Sequence, residues 1–208
     1  MKRIAVVTLV LASLTLGAAN ARAASITYDV RSIDNYSFPL PTYLAGWAAQ
    51  STPIASQSLS DFNGSVGSNN GYDRLTVGFT VSAAHAGDTV SFQLAPDAGY
   101  GGEVYLDGIL KNQKTSDLWW GGDWTNTSEL LIANSGPLAQ GSYVLQAFWA
   151  EGCCNGGQGG RFRLNDQNWE SLTVANLNAL AVPEPGSIAI FGLGLAGLIA
   201  VRRKRVSC

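Results

Sequence analysis

Apolar and polar residues alternate with a period of two through much of the middle of the chain. Within residues 74–82, Leu75, Val77, Phe79 and Val81 alternate with Thr76, Gly78, Thr80 and Ser82, the pattern of a strand with one buried and one wet face. The same alternation recurs at Val90, Phe92 and Leu94, at Val104 and Leu106, and along residues 143–150, each bounded by Gly, Asp or Asn turn signals. Weaker strands are expected at residues 26–30, 130–133, 161–164 and 170–174. No ten-residue helical period occurs between residues 24 and 182. Many short strands without helices predict an all-β domain, an antiparallel β-sandwich or jelly roll. Residues 64–71, rich in Ser and Asn, read as an exposed loop.

The two ends break this pattern. Met1-Lys2-Arg3 precedes an apolar run over residues 4–16 and small residues ending in Ala21-Arg22-Ala23. A charged start, an apolar core too short to span a bilayer and an A-x-A site predict a secretory signal peptide over residues 1–23, removed by signal peptidase. At the other end, Val182-Pro183-Glu184-Pro185-Gly186-Ser187 leads into an apolar run over residues 188–201 and then Arg202, Arg203, Lys204 and Arg205. Fourteen residues as a helix reach roughly 21 Å, short of the hydrocarbon core, so spanning needs thinning or snorkelling. The basic cluster would hold that end in the cytoplasm. The expected layout is therefore a signal peptide over residues 1–23, a β-sandwich domain over 24–175, a linker over 176–181 and a terminal segment over 182–208 with a hydrophobic helix at 188–201.

That terminal segment resembles the PEP-CTERM sorting signal, through Pro183, Glu184 and Pro185, the Gly-rich apolar run holding Gly192, Gly194 and Gly197, and the basic cluster Arg202, Arg203, Lys204 and Arg205. The resemblance implies a Gram-negative bacterium that makes extracellular polysaccharide. It also implies transient insertion in the inner membrane and cutting near the Pro-Glu-Pro by an exosortase.

Losing both ends changes the charge balance. Residues 24–182 keep six Lys/Arg against fourteen Asp/Glu, a net charge near −8. An acidic surface without a basic patch argues against nucleic acid or anionic lipid as a partner.

A second resemblance lies in the middle of the chain. Residues 90–108, with Asp97-Ala98-Gly99 and Val104-Tyr105-Leu106-Asp107-Gly108, followed by Gly141-Ser142-Tyr143-Val144-Leu145, are similar to protective-antigen-type sugar-binding β-domains. In that family acidic loop residues hold calcium and sugar hydroxyls, which makes Asp97 and Asp107 the calcium candidates here and calcium the one cofactor to consider. Calcium-binding members carry two adjacent Asp residues where this chain has Asp97-Ala98. The block Glu151-Gly152-Cys153-Cys154-Asn155-Gly156 resembles an E-x-C-C-x-G signature of some PEP-CTERM proteins.

Candidate chemistry is sparse. The one histidine, His85, is expected in a turn beside Asp88, and nucleophilic catalysis needs an imidazole held against its nucleophile. Acidic residues beside Gly, such as Asp97, Asp107 and Asp123, read more readily as turn formers than as a glycosidase pair. With Cys208 in the processed tail, Cys153 and Cys154 form the remaining pair. An oxidising exterior would close them into a vicinal disulfide, cross-link them to a second molecule, or leave them as thiols. The first is the expectation, although Cα atoms about 3.8 Å apart fall below the usual span and make such a ring strained.

Trp119, Trp120 and Trp124 lie within six positions beside Asp123. Indole faces stack on pyranose C–H groups while a neighbouring Asp fixes hydroxyls. Packing in the core is the competing reading. On a strand Trp120 and Trp124 share one face and Trp119 the other, so at least one indole is expected to be wet. Together these features predict an exported, noncatalytic surface or biofilm-matrix protein able to bind polysaccharide, with a glycan-acting enzyme or a purely structural matrix protein as alternatives.

Overall fold

A computed structural model describes residues 22–34, 42–64, 69–154 and 156–181. Residues 1–21, where a signal peptide is expected, the tail 182–208 and residues 65–68 of the Ser/Asn-rich loop lie outside the described residues.

Two antiparallel sheets face one another. Strands β1 (Ser25–Ser32), β2 (Pro53–Leu59), β4 (Gly71–Val81), β7 (Gly102–Leu106), β8 (Ile109–Lys114) and β11 (Gly141–Glu151) form the first, in the order β2-β1-β4-β11-β7-β8. Strands β5 (Thr89–Ala95), β10 (Leu131–Pro137), β12 (Gln158–Leu164) and β13 (Glu170–Ser171) form the second, in the order β10-β5-β12-β13, with β3 (Asn63–Gly64) paired to β12. The remaining pair, β6 (Asp97–Ala98) and β9 (Leu118–Trp119), is a two-stranded ribbon. The domain is an all-β sandwich, as the alternation predicts.

Period-two geometry builds the core. Ile26, Tyr28, Val30, Leu75, Val77, Phe79, Leu145, Ala147 and Trp149 from the first sheet meet Val90, Phe92, Leu94, Leu131, Ala133 and Phe162 from the second. The outer face of the first sheet is also covered at one end, by helix α1 (Tyr43–Ala49). Tyr43 and Trp47 pack on Tyr72, Tyr105 and Phe148 there. The helix starts because the Thr42 hydroxyl accepts the Ala45 N–H at 3.0 Å. The buried Glu103 carboxylate takes the Leu44 N–H. An acid at the positive end of a helix is stabilising and keeps a buried charge bonded.

The chain departs from expectation after residue 171. A strand over residues 170–174 and a linker over 176–181 are replaced by two strand residues and helix α2 (Val174–Ala179). Thr173 caps α2 by accepting the Asn176 N–H at 3.0 Å. Leu177 and Leu180 are buried in the core. The Leu180 carbonyl accepts the Ser82 N–H at 2.9 Å, and Asn178 accepts the Ala24 N–H at 2.8 Å. Residues 176–181 thus belong to the packed domain. Six helical residues make fewer than two turns, too few for a period to show in sequence. Strands β2 and β8 and helix α1 were not expected either. Strand β2 is an edge strand exposed on nearly every residue, so it carries no apolar alternation.

Candidate functional site

The ribbon β6–β9 ties the tryptophan segment to the sandwich. Leu118 is fully buried, so its neighbour Trp119 must point the other way and is 69% exposed. Trp120 and Trp124 fold back together, with ring centres 4.6 Å apart and planes tilted by 56°. Both rings pack onto Gly159 of β12, where a β-carbon would stand 3.5 Å from each.

Because Phe162 points into the core, alternation sends Arg161 and Arg163 of β12 to the outer face. The Arg161 guanidinium carbon lies 4.6 Å from the centre of Trp124 and 4.5 Å from that of Trp169. Arg163 stands 4.7 Å from Trp169. The Arg161 cation thus lies over both indoles. Its Nε donates to Gln93 Oε1 at 2.8 Å. Burial first, and the like charge of Arg163 second, lower the Arg161 pKa below its ordinary value. Together Trp120, Trp124, Trp169 and Arg161 wall a groove of about 420 Å³, with Asp61 and Glu170 also lining it. Trp120 Nε1 is buried there without an acceptor among the described residues.

Of the sequence-predicted residues, Trp120 and Trp124 meet in this groove and Trp119 projects beside it. Asp123 serves its own turn. Its Oδ1 accepts the Thr125 N–H at 2.8 Å and the Thr125 hydroxyl at 2.7 Å, which hold its carboxyl below the usual range. Trp169 and Arg161 complete the site but were not singled out from sequence. The signal that could have found them is the polar-face alternation Arg161, Arg163 on a strand otherwise apolar at Phe162 and Leu164.

The second candidate region is the acidic end of β6. Asp97 accepts the Gly156 N–H. Burial, then the charges of Glu151 and Asp117, push the Asp97 carboxyl up against the lowering effect of that bond. Glu151 spends both oxygens on backbone, accepting the Gly99 N–H at 2.7 Å and the Cys153 N–H at 2.7 Å. These carboxylates clamp the loop after β11 that carries Cys153 and Cys154, which are exposed free thiols in the structure. Hydrogen bonding and charge from Cys154 come first, with Glu151 and Asp97 behind, in holding the Cys153 thiol above its ordinary pKa. Cys154 takes a positive φ of 66°.

The two calcium candidates, Asp97 and Asp107, each bond a different segment of the chain. Asp107 sits with Gly108 in the tight β7–β8 turn, both at positive φ, and its Oδ1 accepts the Val144 N–H at 2.8 Å. Strand β7 separates Asp107 from Asp97 by about 17 Å of extended chain. Beside Asp97, the position of the second carboxylate is the buried methyl of Ala98. Among the described residues no three His, Cys, Asp or Glu gather into a metal site. His85 lies in a short 3₁₀ turn with Nδ1 3.0 Å from Asp88 Oδ2.

The tail is decided by its own residues. Residues 181–205 match the PEP-CTERM protein-sorting motif. The chain carries a PEP-CTERM sorting signal. The match spans Pro183, Glu184, Pro185 and the basic residues 202–205, all but the first matched residue lying outside the described residues. The signal implies export, exosortase processing and targeting to the cell surface.

The sandwich has structural relatives at low identity. A PA14 sugar-binding domain from an RTX adhesin aligns with a TM-score of 0.51 and 10% identity, over 74% of this chain and 97% of that one. An anti-sigma factor domain-containing protein aligns with a TM-score of 0.50 and 12% identity over 74% of this chain, which spans only 47% of that protein. The PA14 domain of the antifreeze protein MpAFP aligns with a TM-score of 0.48 and 10% identity, over 76% of this chain and 92% of that domain. At such identities the likeness speaks to fold, which agrees with the resemblance read around Asp97 and Asp107. No curated protein sequence matches the chain.

Proposed function

We propose that this PEP-CTERM chain is a noncatalytic surface and matrix protein that holds extracellular polysaccharide against Trp120, Trp124 and Trp169. The observation that carries the reading is the groove of about 420 Å³ walled by those indoles and Arg161. Flat apolar faces beside a few fixed donors suit pyranose rings. The fold shared with a sugar-binding adhesin domain supports the ligand class. A noncatalytic role is supported by the commitment of both Glu151 oxygens to backbone N–H groups, which leaves the Asp97–Glu151 pair as a loop clamp.

In the proposed layout, signal peptidase removes residues 1–23 and a Gram-negative inner membrane transiently holds the tail. An exosortase then releases the domain, here taken as residues 24–181. Intact-mass measurement of the surface-located native protein should find neither end. Recovery of surface protein still carrying residues 188–208 would leave a plain membrane anchor instead.

Binding is expected to weaken several-fold when Trp120, Trp124 or Trp169 is changed singly to Ala, since one stacked ring contributes roughly 1 kcal/mol. Affinity electrophoresis against the producing organism's exopolysaccharide reads this directly. Folded variants that migrate like the parent would remove the groove from consideration, and release of reducing ends would place the protein among glycan-acting enzymes.

The cysteine pair is expected to oxidise outside the cell to a Cys153–Cys154 disulfide that rigidifies the clamped loop. Cys154 first, and the Glu151 and Asp97 carboxylates behind it, suppress the Cys153 thiolate, so closure should be slow at neutral pH and faster in alkali. Non-reducing peptide mapping after immediate alkylation distinguishes the outcomes. Two alkylated thiols in the main species, or a Cys153 peptide joined to another chain, would contradict the intramolecular bond.

A further inference from the structure

We infer that the groove is selective for acidic polysaccharide, with a uronate-type carboxylate received in the plane of the Arg161 guanidinium while the sugar ring stacks on the neighbouring indole. The inference rests on the polysaccharide reading above and specifies its substrate class.

Arg161 is an uncompensated cation in an acidic protein. Arg74 pairs with Asp29 at 2.8 Å, and Arg163 reaches Asp166 at 3.7 Å. Arg161 has no carboxylate partner among the described residues; its one hydrogen bond goes to the neutral Gln93 amide. Asp61 and Glu170 line the same groove, yet neither bonds the guanidinium. Strand register explains part of this, because Glu170 pairs with Phe162 and therefore lies on the opposite side of β13 from the Arg161–Ser171 pair.

Stacking decides which ligand geometry fits. With Trp124 and Trp169 at 4.6 and 4.5 Å and Nε occupied by Gln93, the donors left on Arg161 are the in-plane N–H groups of its two terminal nitrogens. Two parallel N–H donors in one plane match a carboxylate, with its two coplanar oxygens, better than they match hydroxyls scattered around a ring. Contact with two indoles and the Gln93 bond hold the side chain in place before the ligand arrives, which reduces the ordering cost of binding. Arg163 on the same face repels Arg161, although part of its charge is met by Asp166 at 3.7 Å.

The test uses the purified chain with polygalacturonate and alginate, each against its fully methyl-esterified form, in EDTA so that no divalent cation bridges acidic groups. Esterification keeps the sugar backbone and removes the charge. The parent should bind the acidic polymers at least about tenfold more tightly than the esters, the difference expected for a charge-assisted pair. Arg161→Gln should lose that discrimination by lowering acidic-polymer affinity towards ester affinity. Arg161→Lys, which keeps the cation but not the fork, should fall between them and settles the matter if Arg161→Gln folds poorly. Equal affinity of the parent for acid and ester, with Trp120→Ala abolishing both, would overturn the carboxylate inference and leave the polysaccharide reading standing. An Arg161→Gln protein that still discriminates would likewise overturn it. Absence of binding to either form by folded parent protein would overturn both.

Discussion

An Asp73→Asn variant is expected to be more stable than the parent at neutral pH, by up to about 4 kcal/mol, and to lose that advantage near pH 4. Asp73 is buried on the inner face of β4, level with Val30 of β1 and Trp149 of β11. Its Oδ1 accepts the Tyr28 hydroxyl at 2.6 Å. Burial, with a smaller push from the Glu151 carboxylate and against the lowering effect of the Tyr28 bond, raises its pKa from 3.8 to about 7. An acid whose folded pKa lies above its unfolded value favours the folded state while protonated. The stability it contributes is therefore complete below about pH 4 and is lost as pH rises towards 7. Asparagine keeps the oxygen that receives the Tyr28 hydroxyl and never ionises. Asp34, Asp88 and Asp123, whose carboxyls are held low by hydrogen bonds, change stability in the opposite direction. The difference between variant and parent isolates Asp73. Urea unfolding at pH 4.5 and pH 7.5 reads it, and a variant less stable than the parent at pH 7.5 would refute the buried-acid account.

Replacing Trp149 with Ala should cost about 3–5 kcal/mol, the range for deleting a fully buried aromatic. Trp149 is the largest fully buried side chain, with ring centres of Tyr28 and Phe62 at 5.7 and 6.1 Å. It faces Gly102 across the β11–β7 ladder, where a β-carbon would stand 2.8 Å from Trp149 Cβ and 2.7 Å from the Phe148 carbonyl oxygen. A glycine is therefore needed opposite Trp149 for the two strands to approach this closely. Its Nε1 is buried without an acceptor among the described residues, so Trp149→Phe removes an unsatisfied donor along with some contact and should cost far less. Chemical denaturation of the two variants reads the contrast. Equal losses would mean that the residue is held by something other than the volume of its ring.

The sorting signal is written in consecutive residues because an enzyme reads it along the chain. Pro183, Glu184, Pro185 and the basic cluster 202–205 therefore identify it without any fold. Strand alternation at residues 74–82 and 143–150 likewise predicted the two-sided sandwich, since a period of two follows from backbone geometry alone. The groove is different. Trp120 and Trp124 meet Arg161 and Trp169 because β12 runs beside β5 and turns its polar face outward, and alternation within one strand carries no information about which strand lies next to it. The same limit places Asp97 in β6 and Asp107 in the turn after β7, which alternation alone does not reveal. It also hid Asp73, which precedes the alternating run as an ordinary polar residue and becomes buried only when β1 and β11 close on either side. Local pattern determined the core strands and the sorting signal; register and sheet order, set by burial across tens of residues, decided the site.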